Sequence, residues 1–503
     1  MSGRRRNSLS LVHNWISLVG MIVAGSSFFA VACLVALDLF RGFGNPYVGI
    51  LTYLVAPAFL VTGLLLIAAG AFRERRRRRT AEPGAVPIYP RIDLNDPRQR
   101  RTFTAVVVVT VVFLASTAIG SYRTYQFTES VAFCGRTCHA IMTPEYTAYQ
   151  QSPHARVACA QCHIGPGAGW YVKSKLSGAY QVYATLMRRY PRPIPAPVAN
   201  LRPARETCEQ CHSPQQFLGE VKRTYTHYLP DETNSPWTIQ MLFKIGGGDP
   251  GFGRVGGIHY HMTVANKIEY IATDHERQVI PWVRVTDLAG RVTVYQDNAA
   301  PLKPAAIAAS LPRVMDCIDC HNRPTHVFRS PVDAVDLALS TGRIDRALPY
   351  VKQQAVLALV KPYATREDAR RGIAASLAAF YGARHDSLAR SAPASLARAV
   401  SETQRIYAQD FFPDMKVTWR VYPDNLGHWN FAGCNRCHDG NHASADGRTI
   451  SSACTTCHTI VAQGPAGKVE TDLAGLVFKH PADVGDAWRT MKCSSCHAGA
   501  LVD

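Results

Sequence analysis

Cys434-Asn435-Arg436-Cys437-His438 is followed, fifteen residues later, by Cys454-Thr455-Thr456-Cys457-His458. Two thiols separated by two residues, with an imidazole directly after the second, let both sulfurs form thioethers to one porphyrin while the ring reaches its iron from one face. The same pentad recurs at Cys159/Cys162-His163, Cys208/Cys211-His212, Cys317/Cys320-His321 and Cys493/Cys496-His497. Random placement would give on the order of 0.02 such matches in a chain of this composition, so six are not chance. Zinc does not require a histidine after every second cysteine, and a disulfide framework does not produce this repeat. A seventh pair, Cys134 and Cys138-His139, has three residues between its thiols. With six companions and no other use for the pair, it is read as a seventh site. The cofactor expected is seven covalently bound haem c groups, and the one remaining cysteine is Cys33.

A low-spin haem iron takes a second axial ligand, and eleven histidines lie outside the motifs. His154, His326, His428, His442 and His480 lie near a motif, and His227 is a further candidate. His259 and His261 sit two apart in an expected strand, on one face. Met142, three residues after His139, is the alternative ligand for the first iron, where a thioether raises the potential relative to bis-histidine neighbours. His13, His275 and His385 are the most dispensable.

The 503 residues carry 55 Lys and Arg against 37 Asp and Glu, a net +18. Half of that excess falls in residues 1–101, flanking apolar runs, which points to a membrane rather than to nucleic acid. Trp15 to Phe40 is apolar to its end apart from hydroxyls and Asp38. As helix its length reaches roughly 39 Å, enough to span a bilayer with tilt. Tyr47 to Phe72 is a second such run, separated only by Arg41 to Pro46, so the two form a hairpin. Phe103 to Tyr122 is a third, rich in valine, which is helical in lipid because the backbone must satisfy itself there. Arg4–Arg6 and the Arg75–Arg79 run place both flanks of the hairpin in the cytoplasm, so everything after Tyr122 lies outside. Cleavage at Ala30-Val31-Ala32 is disfavoured because apolar sequence continues past it.

The expected organisation is a cytoplasmic tail (1–14), a transmembrane hairpin (15–72), a basic cytoplasmic loop (73–102) and a third span (103–122). A haem region (123–212) follows, then a β-rich insertion (213–316), the fourth motif (317–331), a helical insertion (332–410) and a C-terminal haem region (411–503). The β-rich insertion is read from apolar runs at Val255 to Ala272 and Trp282 to Tyr295, with a turn at Leu288-Ala289-Gly290. Ala334, Leu337, Ala338, Leu348, Val351, Ala355 and Leu359 recur at helical spacing. Tyr190 to Pro203 is a proline-rich strap. The fold class is thus a membrane-anchored multihaem cytochrome c: three N-terminal transmembrane helices, then a mainly α, loop-rich haem domain with a small antiparallel β insertion.

Ser130-Val131-Ala132-Phe133-Cys134 through Cys138-His139, Met142-Thr143-Pro144-Glu145-Tyr146, Gln151-Ser152-Pro153-His154-Ala155-Arg156 and Cys159-Ala160-Gln161-Cys162-His163 resemble the NapC/NirT family of membrane-anchored quinol dehydrogenases. The whole chain is similar to the longer inner-membrane multihaem cytochromes of that family. The resemblance implies electron flow from quinol to a first haem at the membrane surface beside the quinol site, with Met142 on its iron and His154 a distal ligand to another haem. It also implies a lysine and an acid after the second motif. Lys173 and Lys175 fit, but no Asp or Glu occurs between His163 and Glu206, which leaves Glu145 or Glu129 as the acid. The expected activity is an inner-membrane quinol dehydrogenase passing electrons from (mena)quinol to periplasmic cytochromes or a reductase, with no nucleic-acid partner. The alternatives are a terminal reductase of nitrite, hydroxylamine or a sulfur oxyanion, and a scaffold that only docks other cytochromes.

Overall fold

The computed structural model describes residues 11–41, 56–80, 93–137, 139–165, 167–198, 201–247, 256–262 and 266–501. They fall into two compact units, one of residues 1–133 and 159–183, the other of 134–158 and 184–503.

In the first unit, α1 (Trp15–Arg41) and α2 (Ala56–Thr80) pair. Trp15–Ala32 and Ala56–Arg77 are long and apolar enough to cross a membrane. Lipid offers no hydrophobic drive to pair helices, so close backbone approach must do it. A Cβ on Gly20 would lie 2.7 Å from the Ile67 nitrogen, and one on Gly63 2.6 Å from that of Ala24. The Ser17 hydroxyl, fully buried, donates to the Ile67 carbonyl at 3.2 Å, while Phe28, Phe29 and Leu65 point outward. The start of the second expected span, Tyr47 to Val55, lies outside the described residues. Helix α2 runs on through the arginine run, so part of the expected loop at 73–102 is helical. The third expected span lies within α3 (Pro97–Thr128).

The second unit opens with α4 (His139–Gln150). After it the chain returns to the first unit for most of α5 (Ala168–Leu186). The largest core of the second unit is a bundle of α6 (Pro331–Ser340), α7 (Val351–Val360), α8 (Arg366–Arg384) and α9 (Pro393–Asp410). Caps start two of these helices: Ser330 accepts from the Asp333 N–H ahead of Pro331, and Thr365 accepts from that of Asp368. Ala369, Ile373, Leu377 and Tyr381, four residues apart, line one buried face of α8. Leu337, expected inside, is instead 38% exposed because it points away from that core. The strap from Tyr190 is tied down where Tyr422 donates to the Ile194 carbonyl at 2.7 Å.

The strands do not form a self-contained insertion at 213–316. One antiparallel sheet runs β1 (Glu220–Tyr228), β2 (Pro236–Lys244), β8 (His458–Pro465), β9 (Glu470–Thr471). The other runs β6 (Arg313–Val314), β3 (Asn266–Ile271), β4 (Trp282–Asp287), β5 (Val292–Asp297), β7 (His442–Ser444). Both recruit strands from beyond the fifth motif, because open edges left by the 220–297 segment are paired by them. The β4–β5 turn closes on Asp287, which accepts from the Ala289 and Arg291 N–H groups, with Gly290 at φ +76°. His259 and His261 are not in a strand: they sit in a 3₁₀ turn, Ile258–Met262.

Candidate haem-binding and quinol sites

The cysteine pairs of the fourth to seventh motifs sit on short helical turns that bring both thiols of a pair together. In the fourth motif, Asp316 accepts from the Cys317 N–H and Asp319 reaches back to the Asp316 N–H, a reciprocal cap that fixes Cys317–Cys320. Asp319 is buried and also accepts from Tyr270, Arg277 and Arg313 at 2.7, 3.0 and 2.8 Å. Arg436, inside the fifth motif, donates to the Asp319 carbonyl, the Arg277 carbonyl and the Gly433 carbonyl, each at 2.8 Å. Motifs four and five are therefore bolted together through main chain.

The thiols are not equally covered by the chain. Cys211, Cys454 and Cys496 are exposed, whereas the other described motif cysteines are half-buried. Cys211 and Cys496 are each the second thiol of their motif, at the outer end of the turn. The Cys211 N–H donates to the Cys208 carbonyl at 3.1 Å, just past the short helix Ala204–Cys208, and Cys496 ends the helical turn Cys493–Cys496. A sulfur that is to bond a porphyrin edge must be reachable by it, so exposure at these positions fits a role in attachment.

The sulfurs follow one another in motif order. The short helices that carry Cys208 of motif three and Cys317 of motif four pack together, and the neighbouring Cys208 sulfur drives the Cys317 thiol upward. Burial, then the nearby Cys434 sulfur, push the Cys320 thiol up to about 11. Burial raises the Cys457 thiol and Cys434 adds to it. Burial likewise raises that of Cys493, with Cys454 adding to it. Motifs three to seven thus form a chain of neighbours in space.

The histidines decide what these turns can hold. Two imidazoles on opposite sides of one metal, each bonded at about 2.0–2.1 Å, have ring centroids about 6.3 Å apart. Five motif histidines face a non-motif histidine at that separation: His212 and His154 at 6.1 Å, His321 and His259 at 6.4 Å, His438 and His261 at 5.8 Å, His458 and His428 at 6.2 Å, His497 and His480 at 5.9 Å. With paired thiols beside each, the donor set fits a covalently attached, six-coordinate haem.

Ring nitrogens facing away from a metal are normally held by acceptors that fix the tautomer. Nδ1 of His154, His259, His261, His438 and His480 lies 3.4, 2.6, 2.8, 2.8 and 2.9 Å from the carbonyls of Pro324, Ile245, Ile258, Ser451 and Ala482. That of His326 meets the Glu145 carbonyl at 3.0 Å. Nδ1 of His428 and of His458 is buried without a hydrogen-bond partner among the described residues. Burial pushes His458 and His497 down to about 4, which keeps both rings neutral, the form that ligates.

His442 departs from expectation. It is 1% exposed, with Nδ1 3.1 Å from Asp439 and Nε2 2.7 Å from the Ile280 carbonyl. Both nitrogens face acceptors, so no lone pair is left for iron, and its position at the start of β7 explains the burial. Among the described residues, His227 pairs with no motif histidine at that separation. It meets the buried Asp336 at 3.2 Å and stacks on Trp429, which stacks on His497 at 3.9 Å. Asp336 also pairs with the buried Lys352 at 2.6 Å. Met142 is half-buried on α4; the side chains of residues 137–140, His139 included, lie outside the described residues.

The family whose description is NapC/NirT cytochrome c family, N-terminal region, matches residues 96–193. Over 502 residues, 99% of this chain and 97% of the other, the sequence is 44% identical to the cytochrome c-type protein ImcH of Geobacter sulfurreducens. The chain belongs to the NapC/NirT cytochrome c family. It is therefore a membrane-anchored electron-transfer protein carrying covalent haem c, and an oxidoreductase in the general sense. No solved structure matches it.

The family match spans the first two motifs and the residues expected at the quinol site. Lys175 Nζ lies 2.5 Å from Glu129, whose side chain is 12% exposed, just past the end of α3. Lys173 Nζ instead sits over the Trp170 ring, 4.7 Å from its centroid. Glu145 belongs to the other unit, where burial raises its carboxyl against the opposing charge of Arg323. Sequence reasoning missed Trp429, the Asp336–Lys352 pair and the Asp319–Arg436 hub, since no spacing rule marks residues brought together from distant segments.

Proposed function

We propose that the protein is an inner-membrane quinol dehydrogenase that passes electrons from (mena)quinol through seven haem c groups to periplasmic cytochromes or a reductase. The observation that carries this is the repeated opposition of a motif histidine and a second imidazole at a separation that spans one iron. The haem-holding residues are the fourteen motif cysteines, the exposed Cys211, Cys454 and Cys496 among them, with His139, His163, His212, His321, His438, His458 and His497. Distal ligands are His154, His259, His261, His428 and His480; Met142, His326 and His227 are the remaining candidates. Bound haem c supplies one-electron redox chemistry at tuned potentials.

The chain's own residues do the rest. Apolar α1 and α2 hold the N-terminal part in the lipid, with the arginine runs on the cytoplasmic side and the haem region in the periplasm. Quinol oxidation releases two protons with its two electrons, so a base is required at its hydroxyls. Glu129 is the proton acceptor, and Lys175, 2.5 Å away, orients it and steadies its charge. Lys173 over Trp170 flanks them. At five motifs a second imidazole would close the coordination of a bound haem iron, which favours electron conduction over reduction of a small oxidant there.

The test is reduction of the detergent-solubilised holoprotein by menaquinol analogues. Haem reduction by quinol, inhibited by a quinol-site competitor, is expected. Reduction by dithionite but by no quinol tested refutes the proposal.

A further inference from the structure

Five ligand pairs differ in one respect that neither the motifs nor the family explains: the angle between the two rings. His154 and His212 cross at 78°, and His261 and His438 at 80°. His259 and His321 are parallel within 7°, and His428 and His458 within 22°. His480 and His497 stand between, at 36°. In motif order from three to six, the angle alternates crossed, parallel, crossed, parallel.

We infer that the chain sorts its irons into two electronic classes by imidazole angle, crossed at motifs three and five and near-parallel at motifs four and six. The inference rests on the haem-ligand reading above and adds to it the property each pair imposes.

An imidazole donates π density to the iron d orbital that lies perpendicular to its own ring. Parallel rings act on the same orbital and raise it above its partner. Crossed rings act on one orbital each and leave the two nearly equal. The size of that splitting sets the magnetic anisotropy of the low-spin ferric iron. A raised orbital also favours the ferric state, so crossed sites accept an electron more readily than parallel ones of equal surroundings.

The angles are built in by the fold. At the crossed pair of motif five both rings are pinned through Nδ1, His261 to Ile258 and His438 to Ser451, each at 2.8 Å. His259 is pinned to Ile245 at 2.6 Å. His259 and His261 are two residues apart in one 3₁₀ turn. At about 3.0 residues per turn they project about 240° apart around its axis, so one short segment serves two successive motifs with differently turned rings. His458 enters β8 directly and leans on Phe243, ring centroids 5.5 Å apart.

Electron paramagnetic resonance of the oxidised, full-length holoprotein tests this, with haem counted separately by pyridine haemochrome. Wild type should show both large-gmax signals, typical of crossed imidazoles, and rhombic signals, typical of parallel ones. His261→Met should lower the large-gmax intensity by one spin per chain and leave the rhombic signals in place. His259→Met should lower the rhombic intensity by one spin and leave the large-gmax signals. A wild-type spectrum of one class at full haem content, or loss of a rhombic signal in His261→Met, overturns the inference while leaving the haem reading intact. A haem count far below seven overturns the reading beneath it. The wild-type spectrum decides even if either variant fails to mature.

Discussion

His442→Leu separates a structural histidine from an iron ligand. The wild-type ring is buried, with Nδ1 3.1 Å from Asp439 and Nε2 2.7 Å from the Ile280 carbonyl. Removing it leaves that carbonyl without its donor, at a cost of about 1–3 kcal/mol, and removes a bond to a charged group, about 1.5–3 kcal/mol. Asp439 keeps the Asn441 N–H at 3.0 Å and Lys492 at 3.2 Å, which offsets part of the second loss. Leucine also matches the ring poorly in shape, so the net expectation is about 3 kcal/mol of lost stability. The measurement is the urea midpoint followed by Soret circular dichroism, with haem content and the ferric high-spin band recorded on the same sample. A lowered midpoint at unchanged haem content and spin state is expected. An unchanged midpoint accompanied by a new high-spin haem would refute the reasoning, because only an iron ligand behaves that way.

Glu129→Gln and Lys175→Met should each slow quinol-driven haem reduction by about tenfold or more, with dithionite reduction unaffected; equal rates would remove the pair from the quinol site. Arg436→Leu strips three main-chain carbonyls of their donor and should cost about 2–4 kcal/mol, seen as a lower urea midpoint. Asp410 is pushed up to about 6 by burial, against the N–H of Arg329 and the charges of Arg329 and Arg405. The folded state holds this proton while the unfolded chain releases it, so stability falls as pH rises from the ordinary aspartate range to about 6. The loss is up to about 3 kcal/mol, and Asp410→Asn should flatten that slope in urea titrations. Leu377→Ala, in the buried face of α8, should cost about 2–5 kcal/mol while leaving the haem spectrum unchanged.

Covalent attachment needs residues adjacent in the chain, so the C-x-x-C-H repeat displayed the thiols and proximal histidines as plain text. How far the chain covers each sulfur was not written there: Cys211 and Cys496 are exposed while their partners Cys208 and Cys493 are half-buried. Two of the apolar runs were equally legible as helices long and apolar enough to cross a membrane, because spanning lipid is a matter of local length and polarity. Helical spacing was similarly readable in α6 to α9, though not the outward turn of Leu337. Distal ligation is different in kind. His154 reaches motif three and His259 motif four only because sheets and turns carry them there, and nothing in their neighbours marks the destination. His442 looked like His428 or His480 in sequence, each lying near a motif; strand pairing at β7 and two acceptors withdrew it. The alternating ring angles belong to the tertiary structure, since each angle is a relation between two rings, and the two histidines of every pair come from separate segments of the chain.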